Sequence, residues 1–127
     1  EAKKQGASEF YEVEGGLLSK SEVIRKAHKS DNWQLLKDNL TKDSNKTTKI
    51  LDFGGDLGNA WVAIKDICDV EYHIIEIEEF VKHGREIFPE INWYTEIPVV
   101  KNAIDILYTR ASLQCLGGGC TYYWRYR

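Results

Sequence analysis

The sequence has no methionine, two prolines and three cysteines in 127 residues. With Glu1 as its first residue, the missing methionine leads us to expect a piece of a longer reading frame. A targeting segment ahead of it is therefore not excluded. Within the chain no apolar run approaches the roughly 18 residues of a membrane-spanning helix. No basic stretch followed by an apolar core opens it, so no signal peptide is visible. Positive charge is in deficit, with 17 Lys and Arg against 20 Asp and Glu. A basic footprint for nucleic acid is thus missing at the level of the whole chain.

The cysteines, Cys68, Cys115 and Cys120, are odd in number and lack paired spacing, which suggests reduced thiols in a cytoplasmic setting. His28, His73 and His83 bear no metal-type spacing to them, so no metal site is expected. What remains is ordinary globular composition. Hydrophobic residues make up 43%, aromatics 12% and charged residues 29%. That is enough apolar content for a packed core and too much for a disordered segment.

The first 48 residues read as a helical lead-in. Ser19 and Glu22 have the spacing of a capping box, and Val23, Ile24 and Ala27 follow on one helical face. A helix is predicted over 20–29. The Asp31 to Gln34 segment repeats the start signal, and Trp33, Leu36 and Leu40 share a face, which predicts a second helix over 32–40. From residue 50 the pattern changes to alternating strands and helices. Strands are predicted at 50–53, 71–77, 91–94 and 103–108. An amphipathic helix carrying Phe80, Val81, Gly84, Ile87 and Phe88 is stopped by Pro89. Such alternation implies an α/β fold with a parallel sheet. The interleaved aromatics and arginines after Gly117 read as an irregular tail over 117–127.

The segment with chemical content is Ile50-Leu-Asp-Phe-Gly-Gly-Asp-Leu-Gly58. A strand runs into a glycine turn and then a helix, so backbone can reach positive φ and a ligand can approach closely. Glu76 ends the second strand, 22 residues after Gly54. That is where a Rossmann-type domain places a carboxylate for ribose hydroxyls. Gly54, Gly55 and Gly58 do not make the G-x-G-x-x-G of dinucleotide sites. Asp52, just ahead of them, would repel a pyrophosphate but suits the ammonium and sulfonium charges of a methyl donor.

In these residues the chain resembles class I S-adenosylmethionine-dependent methyltransferases, most closely a bacterial group with an LDFGGxxG loop. The resemblance covers roughly residues 50–116. It rests on ILDFGGDLGNAW, then Ile75-Glu76, the FVxxGRxxF helix at 80–88, and Asp105 with Ala111-Ser-Leu-Gln-Cys115. It implies a Rossmann-like parallel sheet of order 3-2-1-4, partial at about four strands of seven, over residues 49–116. The cofactor implied is S-adenosyl-L-methionine. By the same resemblance Asp52, Gly54, Gly55 and Gly58 would frame its methionine end and Glu76 its ribose. Thr95 and Glu96 would lie near adenine, and Ser112 and Gln114 near the donor methyl.

The acceptor, whether a small molecule or a glycan-type group, has no signature, and no general base is identifiable. Asp56 stands where the family carries glycine. A catalytically inactive remnant of the fold and a nucleotide- or NAD-binding Rossmann domain remain the alternatives. The fourth strand, 103–108, is apolar on both faces and would form an exposed edge open to self-association.

Overall fold

The computed structural model describes residues 12–13, 16–30, 32–40, 45–98, 104–109 and 122–125. In chain order the elements are β1 (Glu12–Val13), β2 (Gly16–Leu17), α1 (Lys20–Lys29), α2 (Gln34–Asp38) and β3 (Thr48–Phe53). They continue with α3 (Asn59–Ile64), β4 (Val70–Ile75), α4 (Glu78–Ile87), β5 (Asn92–Tyr94), β6 (Ile106–Thr109) and β7 (Tyr122–Arg125).

Helix α1 starts where the sequence predicts. Ser19 Oγ accepts the Glu22 amide at 3.4 Å, satisfying one free donor of the first turn. The reciprocal half of the capping box is missing, because the Glu22 carboxylate turns to Arg25 at 2.7 Å. Lys26, His28 and Lys29 fill the last turn, where positive charge complements the helix dipole. Helix α2 is shorter than the predicted 32–40. Trp33 occupies its cap position without a side-chain cap bond. The indole of Trp33 instead donates to the Ala27 carbonyl at 2.9 Å, tying the two helices together in the core.

The main sheet has the order β5-β4-β3-β6-β7. Its first four strands are parallel, which is the Rossmann-like order 3-2-1-4. Register explains why one face is so apolar. Ile50 stands beside Tyr72 and Ile106, and Asp52 beside Ile74 and Tyr108, with Trp93 next to Ile74. All of these are buried. They join Phe80 and Val81 of α4, Ala60, Trp61, Val62 and Ile64 of α3, and Val23 and Ala27 of α1 in one core. The opposite face carries Leu51, Phe53, Glu71, His73, Tyr94 and Leu107 and is less completely covered.

Two expectations change. Residues 122–125 form a strand, which pairs antiparallel with β6 from Thr109↔Tyr122 to Ile106↔Arg125. The outer side of the fourth strand is thus hydrogen-bonded within the chain, where the sequence reading left it an open edge beside an irregular tail. Three successive aromatic residues, Tyr122, Tyr123 and Trp124, suit a strand, and that preference outweighs the nearby glycines. Strand β6 is also shorter at its start than predicted. Asp105 stays outside it and caps the entry, its carboxylate accepting the Lys49 amide at 2.9 Å. No helix among the described residues is long and apolar enough to cross a membrane.

The glycine inside α4 has a packing reason. A Cβ added at Gly84 would meet ring atoms of Trp93 at 2.4–2.6 Å. That ring cannot swing aside freely, since its Nε1 donates to the Phe88 carbonyl at 3.0 Å. Gly84→Ala should therefore destabilise the protein by roughly 1–3 kcal/mol, although alanine is the better helix former. A thermal melt of the variant at or above the wild-type midpoint would contradict this packing account.

Candidate functional site

Strand β3 ends at Phe53, and the chain then turns through Gly54 (φ 74°), Asp56 (φ 53°) and Gly58 (φ 93°) before α3. Three left-handed residues within five positions fold the loop tightly over the carboxyl end of the sheet. The Gly54 amide is fixed to the Ile75 carbonyl at 2.9 Å, and the Gly58 amide to the Gly55 carbonyl at 3.1 Å. Glu76 sits one residue past β4, its amide held by the Tyr94 carbonyl at 2.9 Å.

The predicted residues Asp52, Gly54, Gly55, Gly58 and Glu76 are thereby brought together. Glu76 reaches the loop directly, its Oε2 accepting the Asp56 amide at 3.0 Å. Its Oε1 accepts the following Ile77 amide at 2.8 Å. Asp56 is thus a loop-forming residue. Its positive φ is the conformation for which glycine is the default, at a cost of about 1 kcal/mol for other residues.

Asp52 is buried beneath this loop, not displayed on it. It is 2% exposed, and its Oδ2 accepts the Tyr72 hydroxyl at 2.5 Å. A Cβ at Gly55 would stand 2.7 Å from the same oxygen, so only glycine lets the loop close over the carboxyl. Burial pushes the Asp52 carboxyl from 3.8 up to about 7. The Tyr72 hydrogen bond opposes the rise and the Glu76 charge adds to it. Burial and the Asp52 charge together push the Tyr72 phenol well above its ordinary range.

Thr95 and Glu96 follow β5 and are exposed at the same edge of the sheet. Ser112 and Gln114 lie outside the described residues. Other residues at this edge escaped the sequence reading. Phe53, Ile77 and Ile97 end or follow β3, β4 and β5, and are 38%, 40% and 74% exposed. They make an apolar rim along three neighbouring strands. Ile77 was legible as an apolar residue directly after the strand-ending glutamate. Asn59 and Thr109 are buried polar residues at 7% and 8% exposure. Asn59 Oδ1 and Thr109 Oγ1 have no hydrogen-bond partner among the described residues. Only tertiary burial marks these two, and their sequence context gives no sign of it.

His73 and His83 have structural partners. His73 lies between Glu71 Oε2 at 2.8 Å and the Tyr94 hydroxyl at 3.1 Å on the less covered sheet face. His83 Nε2 bonds the Leu18 carbonyl at 2.6 Å, linking α4 to the segment before α1.

The raised Asp52 pKa has a stability consequence with a definite sign. Below about pH 4 both folded and unfolded chains carry the proton. As pH rises through the unfolded value, the unfolded chain loses it first, so the stability linked to this proton declines until pH passes about 7. Asp52→Asn should abolish this decline and leave the variant more stable than wild type at pH 8, by about 4 kcal/mol at most. Urea unfolding of both proteins at pH 5 and pH 8 measures it. Parallel losses of stability in the two would show that the carboxyl is not held protonated by burial.

No protein-family model matches the chain, and no curated protein does. Among solved structures it is similar to the crystal structure of a "putative s-adenosyl-l-methionine-dependent methyltransferase" from Methanococcus maripaludis. The identity is 16% and the TM-score 0.47. The alignment covers 76% of this chain and 52% of that one, so this chain spans about half of that protein's length.

Proposed function

We propose that this chain is the cofactor-binding part of an S-adenosylmethionine-dependent methyltransferase. The observation that carries the reading is Glu76 beside the loop 54–58. A carboxylate at the end of β4, bonded to the glycine turn that follows β3, is the arrangement that receives ribose hydroxyls at the carboxyl edge of an open parallel sheet.

The residues present fit this ligand on three counts. Glu76 sets a carboxylate, the natural acceptor for vicinal hydroxyls, at the strand position where such contacts are made. The exposed side chains of Ile77 and Ile97 give an apolar surface suited to an adenine ring, with Thr95 and Glu96 beside them to meet its polar edge. The buried Asn59 Oδ1, next to Gly58, needs a donor that the described protein residues do not supply. A ligand ammonium would supply one.

When bound, S-adenosylmethionine brings an activated methyl group on a sulfonium. The protein's part is then chiefly to hold and align its ligands, with Glu76 and the loop as fixed points. The loop is well built for that, because the Gly54 amide is tied to Ile75, the Gly58 amide to Gly55, and the Asp56 amide to the Glu76 carboxylate. Two carboxyl groups, Asp56 and Glu76, stand at this corner of the fold, above the Asp52 carboxyl whose ionisation burial opposes. A pyrophosphate would meet repulsion there, which favours the methyl donor over NAD. The acceptor side, with Ser112 and Gln114 as proposed neighbours of the donor methyl, rests on the sequence resemblance.

Parallel calorimetric titrations with S-adenosylhomocysteine and NAD test the reading. S-adenosylhomocysteine should bind more tightly. Glu76→Ala should weaken it by roughly 1.5–3 kcal/mol, through the lost hydrogen bonds to a charged acceptor. Asp56→Gly should bind at least as well as wild type, since it removes a carboxylate and relaxes the left-handed position. Tighter binding of NAD would assign the site to a dinucleotide, and binding of neither would leave a silent remnant of the fold.

A further inference from the structure

The main sheet ends at β5, a strand of three residues whose pairing with β4 stops at Ile75↔Tyr94. One further bond carries the ladder forward, from the Glu76 amide to the Tyr94 carbonyl at 2.9 Å. The backbone of Glu76 is therefore held by the last residue of a short edge strand. Such strand ends are where local opening costs least. This one is tied down by all three of its side chains. Asn92 Nδ2 donates to the Tyr72 carbonyl at 3.1 Å, and Trp93 Nε1 to the Phe88 carbonyl at 3.0 Å. Tyr94 is held by its hydroxyl, 3.1 Å from His73 Nδ1, and by its ring, which stacks on the imidazole with 5.8 Å between centroids and 20° between planes.

His73 is itself fixed. It is buried, and its Nε2 lies 2.8 Å from Glu71 Oε2. A carboxylate only accepts hydrogen bonds, so Nε2 carries the hydrogen. In the neutral ring Nδ1 is then left to accept the Tyr94 hydroxyl, and in the charged ring it donates to the Tyr94 oxygen instead. The link from Glu71 through His73 to Tyr94 stands in both states.

We propose that Tyr94 is a positioning residue for Glu76, with His73 and Glu71 acting through it. The inference rests on the methyl-donor reading above. The Tyr94 hydroxyl and ring hold the end of β5, and its carbonyl holds the Glu76 amide. Glu76 Oε2 in turn holds the Asp56 amide of the loop. Thr95, Glu96 and Ile97 follow directly from the same residue. One anchor on the sheet face thus sets both the proposed ribose carboxylate and the start of the proposed adenine surface.

The test uses the full chain, with calorimetric titration of S-adenosylhomocysteine and hydrogen exchange of single amides by NMR. Tyr94→Phe keeps the ring and removes the hydroxyl. It should weaken binding by about threefold to tenfold, the scale of one neutral hydrogen bond. The Glu76 amide should exchange faster by a similar factor, while the amides of β3 keep their rates. His73→Leu should show the same loss, and the double variant no more than either alone, because both act through one bond. His73→Asn, which keeps an acceptor close to the Nδ1 position, should recover most of the affinity that His73→Leu loses. Full affinity in Tyr94→Phe overturns the proposal and leaves the methyl-donor reading standing. Faster exchange spread evenly over the sheet, in step with a lowered melting point, also overturns it, since that is the mark of general destabilisation. Additive losses in the double variant overturn the link through His73. Failure of the wild-type chain to bind S-adenosylhomocysteine overturns the methyl-donor reading itself, and the inference with it.

Discussion

Everything at the carboxyl edge of this sheet depends on one contact, the burial of the Asp52 carboxyl under Gly55. The loop from Gly54 to Gly58 cannot close over the strand end unless the residue above the carboxyl lacks a Cβ. Once closed, it presents the Asp56 amide to Glu76, and that hydrogen bond joins the loop after β3 to the end of β4. The cost is a carboxyl removed from water with a phenol as its close partner. Such a group resists ionisation, and this links the geometry of the turn to the chemistry of the site.

The rest of the molecule holds that contact in place. Parallel pairing of β3 with β4 and β6 sets Asp52 between Ile74 and Tyr108, so its position is fixed from both sides. Tyr72, two residues before Ile74 on the same face, is thereby aimed at the carboxyl. Helix α3 closes the turn from above, while α4 is pinned to β5 through Gly84 and Trp93. The last strand, β7, then pairs with the free side of β6. An apolar parallel strand left open would be a template for other chains, and the antiparallel pairing covers it.

The site and the fold place different demands on the same residues. Asp56 pays a conformational penalty that glycine would avoid, yet its amide is the one that binds Glu76. Asn59 and Thr109 keep polar atoms buried without a partner among the described residues. Such atoms cost stability in the protein alone and are commonly retained where a ligand satisfies them. Asn59 opens α3 and Thr109 ends β6, on the side where open α/β sheets bind their ligands, while a third such atom, Thr48 Oγ1, lies at the start of β3.

The sequence by itself determined the frame of this protein. Alternating strand and helix periods set the parallel sheet and the limits of α1 and α4 to within about two residues, because those signals are local and repeated, while the order of its strands came from the family resemblance. It also singled out Asp52, the three loop glycines and Glu76, since strand, glycine turn and acidic strand end occur at a recognisable spacing. Tertiary structure decided what these residues do for one another. That Asp52 is buried on Tyr72 follows from strand register, which couples positions 20 apart. That the tail pairs with β6, that Gly84 makes room for Trp93, and that Asn59 and Thr109 are sealed from water are likewise long-range results. No local pattern encodes them, because each depends on which residue of a distant segment arrives opposite.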